Sequence, residues 1–232
     1  MLDVSRRELK YLVSIKDVMS LKNKLSQVMK EDSHNGENGY LVRSLYFDSL
    51  HDSDFEEKVD GYDNRQKVRL RVYDFHSGKA KLELKEKSGI AQRKRSLSLN
   101  REEAECMIRG DYSFLMDREE PIAKWLYTFL VMRCYQPKCI VEYDRLAYCE
   151  SVNDIRVTFD MNLRATESGI DGLFDEKLVL YPVSQSGEVT MEVKYNGFLY
   201  TYIKEIISRS DKMPVSNSKY VRARMISKKG RK

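Results

Sequence analysis

Lysine and arginine recur on alternate residues, with apolar residues between them, in six stretches of this chain. In KVRLRVY, Lys67, Arg69, Arg71 and Tyr73 share one side while Val68, Leu70 and Val72 share the other, the period of two expected of a strand. KLELKEK likewise gathers Lys81, Glu83, Lys85 and Lys87 opposite Leu82 and Leu84. The pattern returns in RELKYLV (Glu8, Lys10), VEYDRLAY (Tyr143, Arg145), IRVTFD (Arg156, Thr158, Asp160) and VTMEVKYNG (Thr190, Glu192, Lys194). One such strand is simply the wet face of an antiparallel sheet. Repetition over many strands implies a face whose cations repel one another unless something negative sits among them. Linked phosphates suit that demand, because Arg forks onto two non-bridging oxygens and Lys supplies a mobile point charge.

Nine segments carry strand signals: about 5 to 14, 40 to 47, 66 to 75, 79 to 87, 92 to 99, 138 to 149, 154 to 161, 176 to 181 and 188 to 195. Four helices are expected between and after them. Asp17 is placed to cap the first, with Val18, Leu21, Leu25 and Val28 at helical spacing. Asn100 and Glu103 form a capping box for the second, which ends at Gly110. The third runs from about Glu119 to Met132, with Pro121 in its first turn, and is expected to bury Ile122, Trp125, Leu126 and Phe129. The fourth, from Phe198 to Arg209, carries Leu199, Tyr202, Ile203 and Ile206. The basic tail KKGRK reads as a solvated end.

Strands that are polar on one side and apolar on the other close naturally into a barrel with a wet lumen, helices covering the apolar exterior. The expectation is therefore an α+β chain in which eight or nine mostly antiparallel strands form a closed β-barrel with a cationic lumen. Like charges a few ångströms apart repel by roughly 1 kcal/mol or more even with water-like screening, so the lumen is expected to hold a dense anion.

Composition bounds the alternatives. The 232 residues can bury a sizeable core, and with no composition break, repeat or linker a single domain over 1-232 is the economical expectation. Lys+Arg (41) exceed Asp+Glu (36) by only +5, too mild a balance for a nucleic-acid coat, and no run of aromatics alternates with basic residues to stack bases, so no nucleic-acid partner is expected. There is neither a signal-peptide core nor an apolar run of about 18 residues, which makes a cytoplasmic location the default. Cys106, Cys134, Cys139 and Cys149 match no thiolate-metal spacing and read as reduced thiols. His34, His51 and His76 fall in turn-like stretches and read as bystanders.

Over nearly its whole length the chain resembles the triphosphate tunnel metalloenzymes, and within them the polyphosphate-polymerising domain of the vacuolar transporter chaperone (VTC) complex. RRELKYLV, SLYFDS, the Arg-x-Arg strand, LELKEKSG, EYDRLAY, IRVTFD, MEVKYNG and SNSKYV carry the resemblance in order and spacing. Tunnel hydrolases typically open with Glu-x-Glu-x-Lys, whereas Arg6-x-Glu8-x-Lys10-Tyr11 looks like the polymerase branch.

That resemblance implies an antiparallel eight-stranded β-barrel, a tunnel in which a nucleoside triphosphate, with ATP the expected one, gives its terminal phosphate to a growing inorganic polyphosphate chain. By the same resemblance Lys10, Arg69, Arg71, Lys85, Arg145, Arg156 and Lys219 hold phosphates, and Tyr143 and Ser218 act as neutral donors. Glu192 binds a divalent cation, Mn2+ or Mg2+. Glu8, Lys87, Lys94 and Lys194 are further candidates for the substrate site. Coupling to a membrane would need a separate membrane partner. One departure is that Met213-Pro214-Val215-Ser216-Asn217 stands before Ser218-Lys219-Tyr220, where related polymerases usually carry another Lys. A triphosphatase using the same tunnel, or a domain that only binds polyphosphate, therefore stays open beside the polymerase.

Overall fold

The computed structural model describes residues 6–89 and 91–229. Its elements begin with β1 (Arg6–Ser14), α1 (Ile15–Leu25), β2 (Lys30–Glu31), β3 (Tyr40–Asp48), α2 (Ser53–Val59), β4 (Arg65–Val72), β5 (Lys79–Ser88) and β6 (Ala91–Asn100). There follow α3 (Arg101–Ile108), α4 (Pro121–Met132), β7 (Gln136–Glu150), β8 (Ile155–Thr166) and β9 (Tyr181–Pro182). The last are β10 (Glu188–Asn196), α5 (Thr201–Ser208), β11 (Met213–Pro214) and α6 (Lys219–Lys229). The architecture is α+β and sheet-rich, and each strand register given between these strands is antiparallel.

The closed eight-stranded barrel requires correction. Among the described residues the sheet has eleven strands: nine follow an open hydrogen-bonded path, β11-β1-β10-β8-β7-β3-β4-β5-β6, with β2 added on β7 and β9 on β8. Both ends of the path carry features that discourage further pairing. β11 is two residues long and includes Pro214, which has no N–H to offer, and β6 carries Arg93, Lys94 and Arg95 in succession. The extra strands are short: β2, β9 and β11 have two residues each. The segment 176 to 181 is not a strand, since only Tyr181 and Pro182 pair.

The chain forms two compact units. One comprises Met1–Leu41, Tyr143–Leu163 and Ser184–Ser218; the other comprises Val42–Glu142, Arg164–Val183 and Lys219–Lys232. In the first unit the apolar positions of β1, β8 and β10, including Val13, Val157, Phe159, Met191 and Val193, pack with Leu21 and Leu25 of α1 and Ile203 and Ile207 of α5. In the second, Leu45, Val68, Leu70, Leu82, Leu84 and Leu97 pack with Ala104, Met107, Leu126 and Leu130 of α3 and α4. Burying one parity of every strand commits the other parity to a single polar face, which is how these cores position the charged rows.

Local signals decide the helix ends. Ser14, rather than Asp17, is the N-cap of α1; Asp17 sits at the third helical position and answers it in a capping box. That helix ends at Leu25, which leaves Val28 beyond it and exposed. The Asn100–Glu103 box forms as expected. α4 starts at Pro121 but buries Ala123, Leu126 and Leu130, a face rotated away from the exposed Trp125. In α5 the buried residues are Ile203 and Ile207, while Tyr202 is exposed. The side chain of Arg6 and the end of the KKGRK tail lie outside the described residues.

Candidate functional site

In the first unit, register brings the polar parity of three strands into rows. Lys10 stands opposite Glu192 and Glu192 opposite Thr158, while Glu8 stands opposite Lys194 and Lys194 opposite Arg156. Lys10 Nζ lies 2.8 Å from Glu8 Oε1 and 3.2 Å from Glu192 Oε1, and Lys194 Nζ donates to Glu192 Oε2 at 2.8 Å. Burial works to lower the Lys10 pKa, but the Glu192 and Glu8 carboxylates outweigh it and raise it, which keeps the ammonium charged.

Arg145 forks onto Asp160, Nε to Oδ1 at 2.7 Å and Nη2 to Oδ2 at 2.8 Å. Arg156 donates to Asp32 Oδ2 at 2.6 Å and to the Tyr40 hydroxyl at 3.0 Å. His34 meets Asp32 Oδ1 through both its Nδ1 and its backbone N–H. Four cations, Lys10, Arg145, Arg156 and Lys194, thus meet four carboxylates, Glu8, Asp32, Asp160 and Glu192. Tyr143 is buried beside Arg145, whose guanidinium lies 5.2 Å from its ring centre. Ser218 is buried at the end of this unit.

The second unit has a different balance. Across β4, β5 and β6 the registers Lys67↔Lys85, Arg69↔Glu83, Arg71↔Lys81 and Lys85↔Lys94 place six cations on a face with one carboxylate, Glu83. Glu83 is 1% exposed and is the hub of that face. Arg69 Nε and Nη2 both lie 2.6 Å from Glu83 Oε2, Arg71 Nη1 is 3.7 Å from the same oxygen, and Lys94 Nζ meets Oε1. Burial alone would raise the Glu83 pKa; Arg69, Arg71 and Lys94 reverse that and hold the carboxyl far below its usual range. Arg69 also reaches the Tyr46 hydroxyl at 3.4 Å, and Arg71 reaches Ser44 Oγ at 3.2 Å and the Tyr73 hydroxyl at 3.3 Å. Lys87 is set apart from this hub and lines a cavity at the strand ends with Arg65.

Lys219 opens α6, and its neighbour Tyr220 anchors that helix. The Tyr220 ring stacks on Tyr46 at 5.2 Å, and its hydroxyl donates to Asp48 Oδ2 at 2.6 Å. Asp48, fully buried, also accepts backbone N–H groups from Ser49, Asp54 and Phe55, and so holds the start of α2. Asp32, Ser44, Tyr46, Asp48 and the hub role of Glu83 escape sequence reasoning. Glu83 had a signal in its shared parity with the cations of β5, and Ser44, Tyr46 and Asp48 had one in the SLYFDS motif, which by itself assigned them no role. The expectation that the cations require an external anion also needs amending, because carboxylates of the chain already neutralise the first unit's face.

A hard divalent cation favours carboxylate, hydroxyl and phosphate oxygens. Glu192 and Glu8 provide carboxylates, and Thr158, opposite Glu192, has a buried Oγ1 with no hydrogen-bond partner. Among the described residues no group of three or more carboxylate, histidine or cysteine side chains gathers for a metal, and both Glu192 oxygens already meet Lys10 and Lys194, so this set suits such an ion only together with phosphate oxygens.

No curated protein matches the chain in sequence. Among solved structures it is similar to a candidate adenylyl cyclase from Hippeastrum, described as having a dominant triphosphatase activity, with 13% identity, 94% of each chain covered and a TM-score of 0.54. It is also similar to a candidate adenylate cyclase from Bacillus halodurans, with 14% identity, 92% of this chain and 96% of the other covered, and a TM-score of 0.52. At such identities the likeness is one of fold. Residues 5–227 match the VTC domain family, nearly the whole chain, and the chain therefore belongs to that family.

Proposed function

We propose that the protein is a polyphosphate polymerase that transfers the terminal phosphate of a nucleoside triphosphate, ATP being the expected donor, to a growing inorganic polyphosphate chain in a basic tunnel. Membership of the VTC domain family supports this reading. The single observation that carries it is the uneven charge of the two strand faces: six cations around Glu83 on one, and a carboxylate-rich, neutralised set around Glu192 on the other. The first suits linked phosphates, and the second, taken by itself, suits a divalent cation bound with phosphate oxygens.

In this reading Arg69, Arg71, Lys85 and Lys94 hold the phosphate chain with Lys219, while Lys10, Arg145, Arg156 and Lys194 complete the cationic set and Tyr143 and Ser218 donate as neutral groups. Glu192, with Glu8 beside it, holds Mn2+ or Mg2+, whose chemistry is to neutralise charge on phosphate oxygens. Phosphoryl transfer spreads negative charge over the moving oxygens, so fixed cations lower its barrier without a covalent intermediate. Arg69 and Arg71 are already oriented by Glu83, Ser44 and Tyr46, so little rotamer freedom is lost when phosphate arrives. The terminal oxygen of the acceptor chain is ionised near neutral pH and attacks the donor's terminal phosphorus. The bond to the bridging oxygen breaks, and the nucleoside diphosphate leaves with that electron pair. No general base is required.

The second reading, hydrolysis with water as acceptor, draws on the triphosphatase activity described for the Hippeastrum protein of similar fold. Incubation with ATP and Mn2+ followed by a polyphosphate gel separates the two. Chains lengthening with time support the polymerase, and orthophosphate alone transfers the proposal to the hydrolase. Location and any membrane partner follow the family reading only; among the described residues no helix is long and apolar enough to cross a membrane.

A further inference from the structure

On the two strand faces Lys10, Arg69, Arg71, Lys94, Arg145, Arg156 and Lys194 each meet a carboxylate of the chain. A different cluster in the second unit does not. At the ends of β4, β5 and β6, Arg65, Lys87, Arg93 and Arg133 line a cavity of about 470 Å³, within the roughly 300–1,000 Å³ of small-molecule sites. Among the described residues none of these four heads makes an ion pair. Two carboxylates share the lining. Glu86 Oε2 faces Arg95 Nε at 3.4 Å, and burial pushes the Glu57 carboxyl up from its ordinary value against the opposing pull of Arg133 and Arg65. Four cations against two carboxylates leave an uncompensated positive surplus, and the side-chain amides of Gln66 and Gln92 in the lining add neutral donors.

Arg133 is held from behind the lining: its guanidinium lies 5.0 Å from the centre of the Phe129 ring, which stacks on Trp125 at 5.1 Å and 20°, and Arg95 lies 4.2 Å over the Trp125 ring. This row of guanidinium, indole, phenyl and guanidinium groups assembles from β6 and α4, two segments in which the sequence has no alternation of basic and aromatic residues. Stacked guanidinium groups keep their edges free for anions while losing little freedom on binding.

We infer that this cavity, where Arg65 and Lys87 end the polar row that carries Glu83, is a second anion site taking a short chain of linked phosphates beyond the Glu83 hub. Linear charge spread over several phosphates matches four cations set around a cavity better than a single tetrahedral anion does. The inference does not require that the tunnel be a polymerase.

The chain's one tryptophan, Trp125, stacks on the Phe129 ring that carries Arg133 of the lining, and so reports on that residue. Inorganic tripolyphosphate is titrated into the full-length chain while Trp125 fluorescence and binding heat are followed. A saturable fluorescence change is expected, retained in Arg71→Ala and weakened about tenfold or more in Arg93→Glu. Both Arg93 and Arg133 are exposed, so these substitutions are tolerated by the fold, and Arg93→Glu leaves the Phe129–Trp125 stack untouched. An Arg133→Ala variant, followed by heat alone, is expected to lose the same event. Stronger binding of tripolyphosphate than of ATP assigns an inorganic chain as ligand, and the reverse assigns a nucleotide's phosphate tail. Sulfate acting as well as tripolyphosphate, or a single binding event lost in Arg71→Ala and unchanged in Arg93→Glu, overturns the site. Turnover with ATP and Mn2+ is expected to persist in Arg93→Glu, so failure of this site and failure of the tunnel reading are told apart.

Discussion

The Tyr220 hydroxyl donates to Asp48 Oδ2 at 2.6 Å, joining two motifs that lie 172 residues apart. Asp48 simultaneously holds the first turn of α2 through the backbone N–H groups of Asp54 and Phe55. One buried carboxylate therefore fixes the start of two helices, and Lys219 is the residue immediately before its anchor in the second.

We predict that Tyr220→Phe costs about 1.5–3 kcal/mol, the value of a hydrogen bond to a charged group. Equilibrium urea unfolding measures it. A loss below about 0.5 kcal/mol, typical of an indifferent site, would show that the anchor has no such role.

Asp54 lies beside Asp48, 2% exposed, and accepts a hydrogen bond from the Tyr135 hydroxyl at 2.7 Å, while its Oδ2 has no hydrogen-bond partner. Burial first, and the Asp48 charge second, push its pKa from 3.8 up to about 8. Between these values the folded state binds more protons than the unfolded one, so stability falls as pH rises from about 4 to about 8. The slope from this one group is at most about 1.4 kcal/mol per pH unit. Asp54→Asn keeps the acceptor for Tyr135 and removes the titration. The variant is expected to gain on the parent steadily across that window, and parallel stability curves at pH 5 and pH 8 would sink the assignment.

Glu83→Gln leaves Arg69, Arg71 and Lys94 facing one another without their shared counter-charge. Breaking a buried pair on one side costs about 3–5 kcal/mol. In the parent, the depressed Glu83 pKa contributes stability that is present above the ordinary glutamate value of 4.5 and lost as pH falls toward the folded pKa. Tripolyphosphate should restore much of the variant's melting temperature by binding the released cations. A variant as stable as the parent, or one indifferent to tripolyphosphate, contradicts the hub.

Arg71→Ala and Glu192→Gln should separate phosphate binding from metal-dependent turnover. Arg71→Ala removes a charge-assisted contact of about 1.5–3 kcal/mol, so triphosphate binding is expected to weaken roughly tenfold or more. Glu192→Gln is expected to abolish Mn2+-dependent turnover while sparing much of that binding. Calorimetry and product gels on both variants test the pair, and equal loss of binding and turnover in Glu192→Gln would count against a metal role.

Alternation in KVRLRVY and KLELKEK was enough to identify β4 and β5 and the face each cation takes, because strand parity is a local property of the backbone. The Asn100–Glu103 cap was equally legible, since both partners lie within one turn. α2 and α6 were not, and their reasons differ. α2 is seven residues held by Asp48 from the preceding strand, and α6 is rich in Lys and Arg without a clear apolar stripe. The exposed side of α4 was misjudged because Trp125 and Phe129 are occupied by Arg95 and Arg133, contacts that no helical period reveals.

What the residues determined by themselves was the strand pattern, the segregation of cations onto one parity and membership of a family, all of which depend on neighbours near in the chain or on motif order. Which carboxylate meets which cation was decided only by the tertiary structure. Arg156 finds Asp32 across 124 residues, Tyr220 finds Asp48 across 172, and Glu83 collects Arg69 and Lys94 through the registers of adjacent strands. Electrostatic pairing acts over a few ångströms in space and is indifferent to sequence separation, so the balance of charge that defines this site exists only once the strands are side by side.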